Sequence, residues 1–269
     1  MGRLADVPIQ LALPLFAVIF AAVAVAAHTA LRRVLPSPER LSEHHEVAGF
    51  LMGVVGVLYS VVLGFLVGTV WTAFASAQQT ADLEAGYIAD AFNFAAQLPP
   101  PQSRLIQRGI ARFALAVRSE DWSVALPGRD TTTLLYDVDR LALAVPKSPR
   151  EASSASILES NTIRTALIDS LREIGDTRRL QFVQSQSRLP RGMLEALILG
   201  AAAVVAFTFF FGVRSYAKQM IMTALLAGSI GLFLGLVLEL STPYSGAVHV
   251  SSDALDFVIA NNHMANFAK

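Results

Sequence analysis

The sequence predicts an all-α, polytopic membrane protein: four transmembrane helices, with a helical soluble domain inserted between the second and third. Three observations predict it. Four runs, at 9–31, 47–77, 196–213 and 219–238, contain no Asp, Glu, Lys or Arg, and a helix needs about 20 apolar residues to cross a bilayer core. The composition is 54% hydrophobic and 16% charged, where soluble domains run about 45–50% apolar and about 25% charged. Between the second and third runs, the apolar positions repeat with the period of a helix rather than the alternation of a strand. The chain therefore divides into two spans (1–81), a helical domain (82–192), a transmembrane hairpin (193–240) and a polar C-terminal tail (241–269).

The first run, Ile9 to Leu31, ends in Ala24-Val25-Ala26, which resembles a signal-peptidase site. Three features favour a retained span. The run is too long for a signal peptide, Asp6 interrupts the basic leader, and Arg32-Arg33 follow as a stop-transfer pattern. Pro8 fits a helix start, and Pro14 implies a kink. A short polar connection containing Pro36 and Pro38 leads to Ser42-Glu43-His44-His45-Glu46. Ser42 reads as an N-cap, with Glu43 and Glu46 in the first turn, where the helix terminus favours carboxylates. A metal cluster is the other reading, but adjacent histidines on a helix point about 100° apart and do not share one ion easily.

The second run carries a stripe of small residues. Gly49, Gly53, Gly56, Ser60 and Gly64 fall on one helical face, with Gly68 at its edge. Small residues at this spacing let another backbone approach closely. The same face turns bulky at Trp71 and Phe74. Beyond Trp71 the pairs Leu83/Tyr87 and Ile88/Phe92 predict that the helix continues until Pro99-Pro100-Pro101 stops it.

Three amphipathic segments follow. Leu105, Ile106, Ile110, Phe113 and Val117 mark the first; Leu134, Leu135, Val138, Leu141 and Val145, after Asp130 or Thr131 as cap, mark the second. Ile157, Ile163, Leu167, Ile168, Leu171 and Ile174 mark a third that extends towards Val183. Trp122 and Pro127-Gly128 fall in a connecting loop. So small a domain buries little core alone, which predicts packing within an oligomer. Pro190 closes it, and the last two runs, joined across Arg214 and Lys218, form an antiparallel hairpin. Gly228, Gly231 and Gly235 give the fourth span its own small face.

Four spans put both termini and the helical domain on one side. The short links hold Arg32, Arg33, Arg40, Arg214 and Lys218, which places them in the cytoplasm by the positive-inside rule. Arg178, Arg179, Arg188 and Arg191, near the third span, pull the other way.

Several function classes are disfavoured. Net charge is zero, whereas nucleic-acid binders carry basic patches. There is no cysteine, so thiolate metal sites and thiol nucleophiles are excluded. No phosphate loop, zinc motif or nucleophile elbow is present, so neither an enzyme nor a cofactor is expected. Two carboxylates remain. Glu195 opens the third span, where the helix dipole favours it. Glu239 closes the fourth, where the dipole opposes it and a compensating partner such as Arg191 or Arg188 is expected. They read either as interfacial anchors or as charges at a pore entrance.

Glu43-His44-His45-Glu46-Val47-Ala48-Gly49-Phe50, Val55-Gly56-Val57-Leu58-Tyr59 and Trp71 resemble the second-span signature of the bestrophin-like domain family of prokaryotic and plant membrane proteins. Leu189-Pro190, Pro243-Tyr244-Ser245-Gly246 and Val250-Ser251 are similar too. Tyr244 stands where Phe is usual, Ser241 where Asp is usual and His45 where Asn is usual. The resemblance, over roughly 31–258, implies distant similarity to bestrophins: pentameric chloride channels with four membrane segments, a pore lined by the second helix and a helical domain in the cytosol. Only Asp253 and Asp256 stand near the position of their acidic calcium clasp, so no calcium site is inferred.

The expected function is a homo-oligomeric ion channel of the cell (inner) membrane, conducting anions, chloride first, with Trp71 and Phe74 as a constriction. Its expected partners are the lipid bilayer and copies of itself. The alternative is a non-conducting scaffold or sensor acting through the helical domain. A channel leaves the small face of the second helix to a symmetry axis; a scaffold buries it against its own spans.

Overall fold

A computed structural model describes residues 9–31, 45–121, 129–145, 154–211, 215–245 and 247–268. The Ser42 cap, His44, the Arg32-Arg33 pair, Trp122, Pro127-Gly128 and Arg214 lie outside them. Among the described residues the chain is all-helical: α1 (Ile9–Leu31), α2 (His45–Ala96), α3 (Gln102–Ala116), α4 (Arg129–Leu143), α5 (Ser154–Gln186), α6 (Arg191–Phe207), α7 (Tyr216–Leu240), α8 (Asp253–Asn261) and α9 (Met264–Phe267). Among the described residues, four helices are long and apolar enough to cross a membrane: α1, α2, α6 with its following turn, and α7. Two compact units share the chain.

The first unit holds α1, the start of α2, α6 and α7. Its core is Leu63, Leu66 and Val70 from α2, Leu197, Ala201 and Val204 from α6, and Ile230, Leu234, Val237 and Leu240 from α7. α1 runs along α7, and the glycines of α7 make that approach possible. A methyl group on Gly231 would stand 2.5 Å from Phe20 Cβ, and one on Gly235 2.7 Å from the Phe16 ring. Pro14 lies inside α1. The third apolar run ends sooner as an α-helix than its composition suggests: α6 closes at Phe207, and Thr208–Phe210 tighten into a 3₁₀ turn. At that end His28 is buried, its Nδ1 3.4 Å from Thr223 Oγ1, which also bonds Thr208.

The second unit takes α2 from Ala75, with α3, α4, α5, α8 and α9. α2 carries on to Ala96 without a break, as its i,i+4 pairs predict. Ile88 and Phe92 from α2, Ile106, Ile110 and Phe113 from α3, Val138 from α4 and Leu167, Leu171 and Ile174 from α5 make one core. α3 meets α4 where Gly109 leaves room for Val138; a methyl group at Gly109 would stand 2.6 Å from it. Past Ala116 the helix loosens into a π turn at Val117–Asp121.

The polar tail expected over 241–269 is corrected here. Residues 253–261 and 264–267 are helical, and Leu255, Val258, Ile259 and Met264 belong to the core of the second unit. Their spacing is helical, but Asp253 before them and Asp256, Asn261 and Asn262 between them lower the average hydropathy of the stretch below that of a recognisable apolar run.

Candidate functional site

The small stripe of α2 is mostly open in the protomer. Gly49, Gly53, Gly64, Gly68 and Ser60 are exposed and Gly56 is half-buried. A methyl group added to Gly53, Gly56, Gly64 or Gly68 would meet nothing within 4 Å, and one on Gly49 would only graze Phe211 at 3.9 Å. Of the most apolar window of α2, 11% is buried in the protomer, against 39% for α7. The opening is a cavity of about 470 Å³. Gly56, Ser60 and Gly64 of α2 and Leu226, Ser229 and Phe233 of α7 line it. Its lining is almost wholly apolar, with Leu63, Val204 and Ile230 among the core residues there. Tyr59, also on α2, lays its ring on Gly200 of α6: a methyl group there would stand 2.7 Å from the ring.

Trp71 and Phe74 stack, with centroids 6.3 Å apart and planes 23° apart. Trp71 is 59% exposed and Phe74 half-buried. The structure therefore brings the two aromatics of the stripe together and leaves Trp71 available to a partner.

The charged residues behave differently. α6 begins at Arg191, directly after Pro190 as N-cap. Glu195 is therefore in the second turn rather than the first, and Arg191 occupies the helix start, where the dipole disfavours a cation. Both are exposed. Glu239 is next to last in α7. Its Oε2 accepts a hydrogen bond from the backbone N–H of Ala247 at 2.8 Å. The partner that the C-terminal position demands is thus a main-chain donor; among the described residues neither Arg188 nor Arg191 forms a salt bridge with it.

A polar cluster that sequence reasoning missed lies in the second unit. Glu84 of α2 is 1% exposed. Its Oε1 stands 3.6 Å from Arg178 Nη1, and Gln181 donates to its Oε2 at 2.7 Å. Gln184 donates to Thr80 at 3.2 Å, and Tyr244 donates to Gln184 Oε1 at 3.2 Å. Burial pushes the Tyr244 hydroxyl well above its ordinary pKa; the Glu84 carboxylate adds to the rise and Arg178 opposes it. The signal was present: Glu84 shares the helical phase of Ala77, Ala81 and Ile88, all buried. Among the described residues, no group of three or more His, Cys, Asp or Glu could hold a metal ion.

The decisive comparison is with protein families. The Bestrophin-like domain model matches residues 18–255. The chain belongs to the bestrophin-like family. Solved structures agree on the fold. A bacterial bestrophin homolog from Klebsiella pneumoniae matches with a TM-score of 0.59 and 13% identity, over 95% of this chain and 97% of that one. A point variant of the Klebsiella homolog matches at 0.63 and 12% identity, over 95% of each chain. A crystal structure described as a membrane protein matches at 0.63 and 13% identity, over 95% and 97%. No curated protein matches. The bestrophin-like chain is thus a membrane protein, all-helical among the described residues, and at these identities the structures speak for its fold alone.

Proposed function

We propose that this bestrophin-like chain forms a homo-oligomeric ion channel, anion-conducting, in which the small face of α2 lines or closes on the central path. The observation that carries it is the open stripe: a methyl group built on Gly53, Gly56, Gly64 or Gly68 would meet nothing within 4 Å. Glycines cost helix stability of roughly 0.5–1 kcal/mol each relative to alanine, so a row of them without a close partner points to one outside the protomer. Family membership supports the same reading. The scaffold alternative expected this face to be buried against the chain's own spans, and its surroundings favour the channel. In this reading Trp71 and Phe74 narrow the path by an apolar constriction, which stops ions by dewetting without any charge. Glu195, Glu239 and Arg191 are charges at its entrance.

We place residues 82–192 as a helical domain outside the bilayer, between the second and third spans of a multi-pass inner-membrane protein. Single cysteines at Ser37, Ser148, Ser215 and Ser252, in a chain with none of its own, test this with an impermeant maleimide. Ser148 should group with Ser252, and Ser37 with Ser215; mixed grouping rejects the arrangement. Labelling of Ser148 only in inverted vesicles assigns the domain to the cytoplasm. Conduction is tested by reconstituting the purified protein and measuring chloride and potassium efflux. Flux no greater than from empty liposomes, across pH and voltage, leaves the scaffold.

A further inference from the structure

One side chain in the second unit holds both backbone groups of a single residue. Gln78 of α2 accepts the Ser251 N–H at its Oε1, 2.8 Å, and donates from Nε2 to the Ser251 carbonyl, 3.4 Å. The same Nε2 donates to Asp82 Oδ1 at 2.9 Å. An ionised carboxylate only accepts, so Asp82 fixes which way the amide points and leaves Oε1 for Ser251. Among side chains, only Asn and Gln carry an acceptor oxygen and a donor nitrogen on one carbon, and Asn is one methylene shorter. The held residue sits at a structural junction. Ser251 Oγ accepts the N–H of Asp253, the first residue of α8, at 3.0 Å, and Val250 donates to the carbonyl of Pro243 at 2.8 Å. Tyr244 Oη lies 3.4 Å from the carbonyl of Ala77, one residue before Gln78, a second acceptor for the proton it shares with Gln184.

We propose that Gln78 is a positioning residue: its amide, oriented by Asp82, ties the chain that follows the fourth span to the register of α2, one helical turn past Phe74. α2 is unbroken across these positions, so a change in the hold at Ser251 reaches the stacked Trp71–Phe74 pair along the helix. The consequence for conduction rests on the channel reading; the hold at Ser251 does not.

The test uses the full chain in lipid nanodiscs and reads two signals that need no conduction. One is hydrogen exchange at the amides of 250–252. The other is Trp71 emission in a Trp122→Phe background, which removes the only other tryptophan. Gln78→Ala should speed exchange at Ser251 about tenfold, as expected for losing one or two hydrogen bonds, and shift Trp71 emission. Gln78→Glu at pH 7.5 keeps an acceptor for the Ser251 N–H but loses both donations from Nε2 and is repelled by Asp82, so its exchange at Ser251 should fall between wild type and Gln78→Ala. At pH 5 or below it should recover towards wild type, because a protonated Glu again offers an acceptor and a donor. Wild type at both pH values is the reference, since His249 and Asp253 lie nearby. Unchanged exchange in Gln78→Ala, or a Gln78→Glu phenotype independent of pH, overturns the hold. Faster exchange with unchanged Trp71 emission overturns the positioning of α2. Chloride efflux run in parallel separates the two readings: no flux from any form sinks the channel and leaves the exchange and emission outcomes standing.

Discussion

Gly228, Gly231 and Gly235 on α7 and Gly53, Gly56 and Gly64 on α2 carry the same signature in sequence and have opposite surroundings in the protomer. On α7 the row is filled. The α1 backbone comes within 3.5 Å of a methyl group built on Gly228, and Phe16 and Phe20 press on Gly231 and Gly235. On α2 the row faces open space. The two sets therefore have different jobs. The α7 glycines admit α1 into the first unit; the α2 glycines admit no such close approach within the protomer and lower the intrinsic stability of their helix. On the channel reading proposed above, the close partner of the α2 row lies outside the protomer.

The largest effect should come from filling the filled face. Gly231→Leu places a side chain where Phe20 and the Phe16 carbonyl already stand, and should cost about 3 kcal/mol or more, seen as loss of monodisperse protein on detergent extraction and a lower melting temperature. A well-behaved Gly231→Leu protein would break the contrast. Gly64→Leu is the mirror experiment. The protomer has room for it, so thermal stability and helix content should hold, while assembly by native mass spectrometry or chloride efflux is lost. If neither changes, the open face is only lipid-facing. Wild type should be an oligomer of four or more copies in that measurement; a purely monomeric species at micromolar concentration counts against both assembly and channel.

A smaller effect should follow from Trp71→Ala with Phe74→Ala. If the pair forms the neck, efflux rises severalfold with stability little changed. As belt residues at the membrane interface, their loss alters insertion and leaves efflux unchanged. The smallest effect sharpens the comparison most. Gly53→Ala adds a methyl group to open space and should stabilise the isolated protomer by about 0.5–1 kcal/mol, measured by chemical unfolding under dissociating conditions. A destabilised protomer would mean that Gly53 already has a neighbour at home.

Much of the fold was legible because its signals are local. Charge-free length marks the four spans, and i,i+4 pairs such as Ile88/Phe92 carry α2 through to Ala96. The helical phase of Ile106, Ile110, Phe113 and of Leu167, Leu171, Ile174 marks buried faces before any contact is known, and those residues form the core. Less of the site was legible. Glu84 shares its helical phase with buried positions, but that Arg178 and Gln181 close on it is a matter of residues far along the chain. Gln78 had no mark at all: what gives it meaning is Ser251, far along the chain. Residues 241–269 passed as a tail because α8 and α9 alternate core positions with acids and amides.

By itself, then, the sequence determined what each stretch can do in isolation: cross a bilayer, form a helix, present a small or an apolar face. Hydrophobic length and side-chain period are properties of neighbouring residues, and no partner is needed to read them. Only the tertiary structure decided which faces are taken. That Phe16 and Phe20 fill the α7 stripe while the α2 stripe stays open, and that Glu239 finds the Ala247 amide rather than an arginine, depend on contacts between residues distant in the chain. A glycine row encodes permission for close approach and is silent about what approaches, because the missing side chain carries no chemistry to specify a partner.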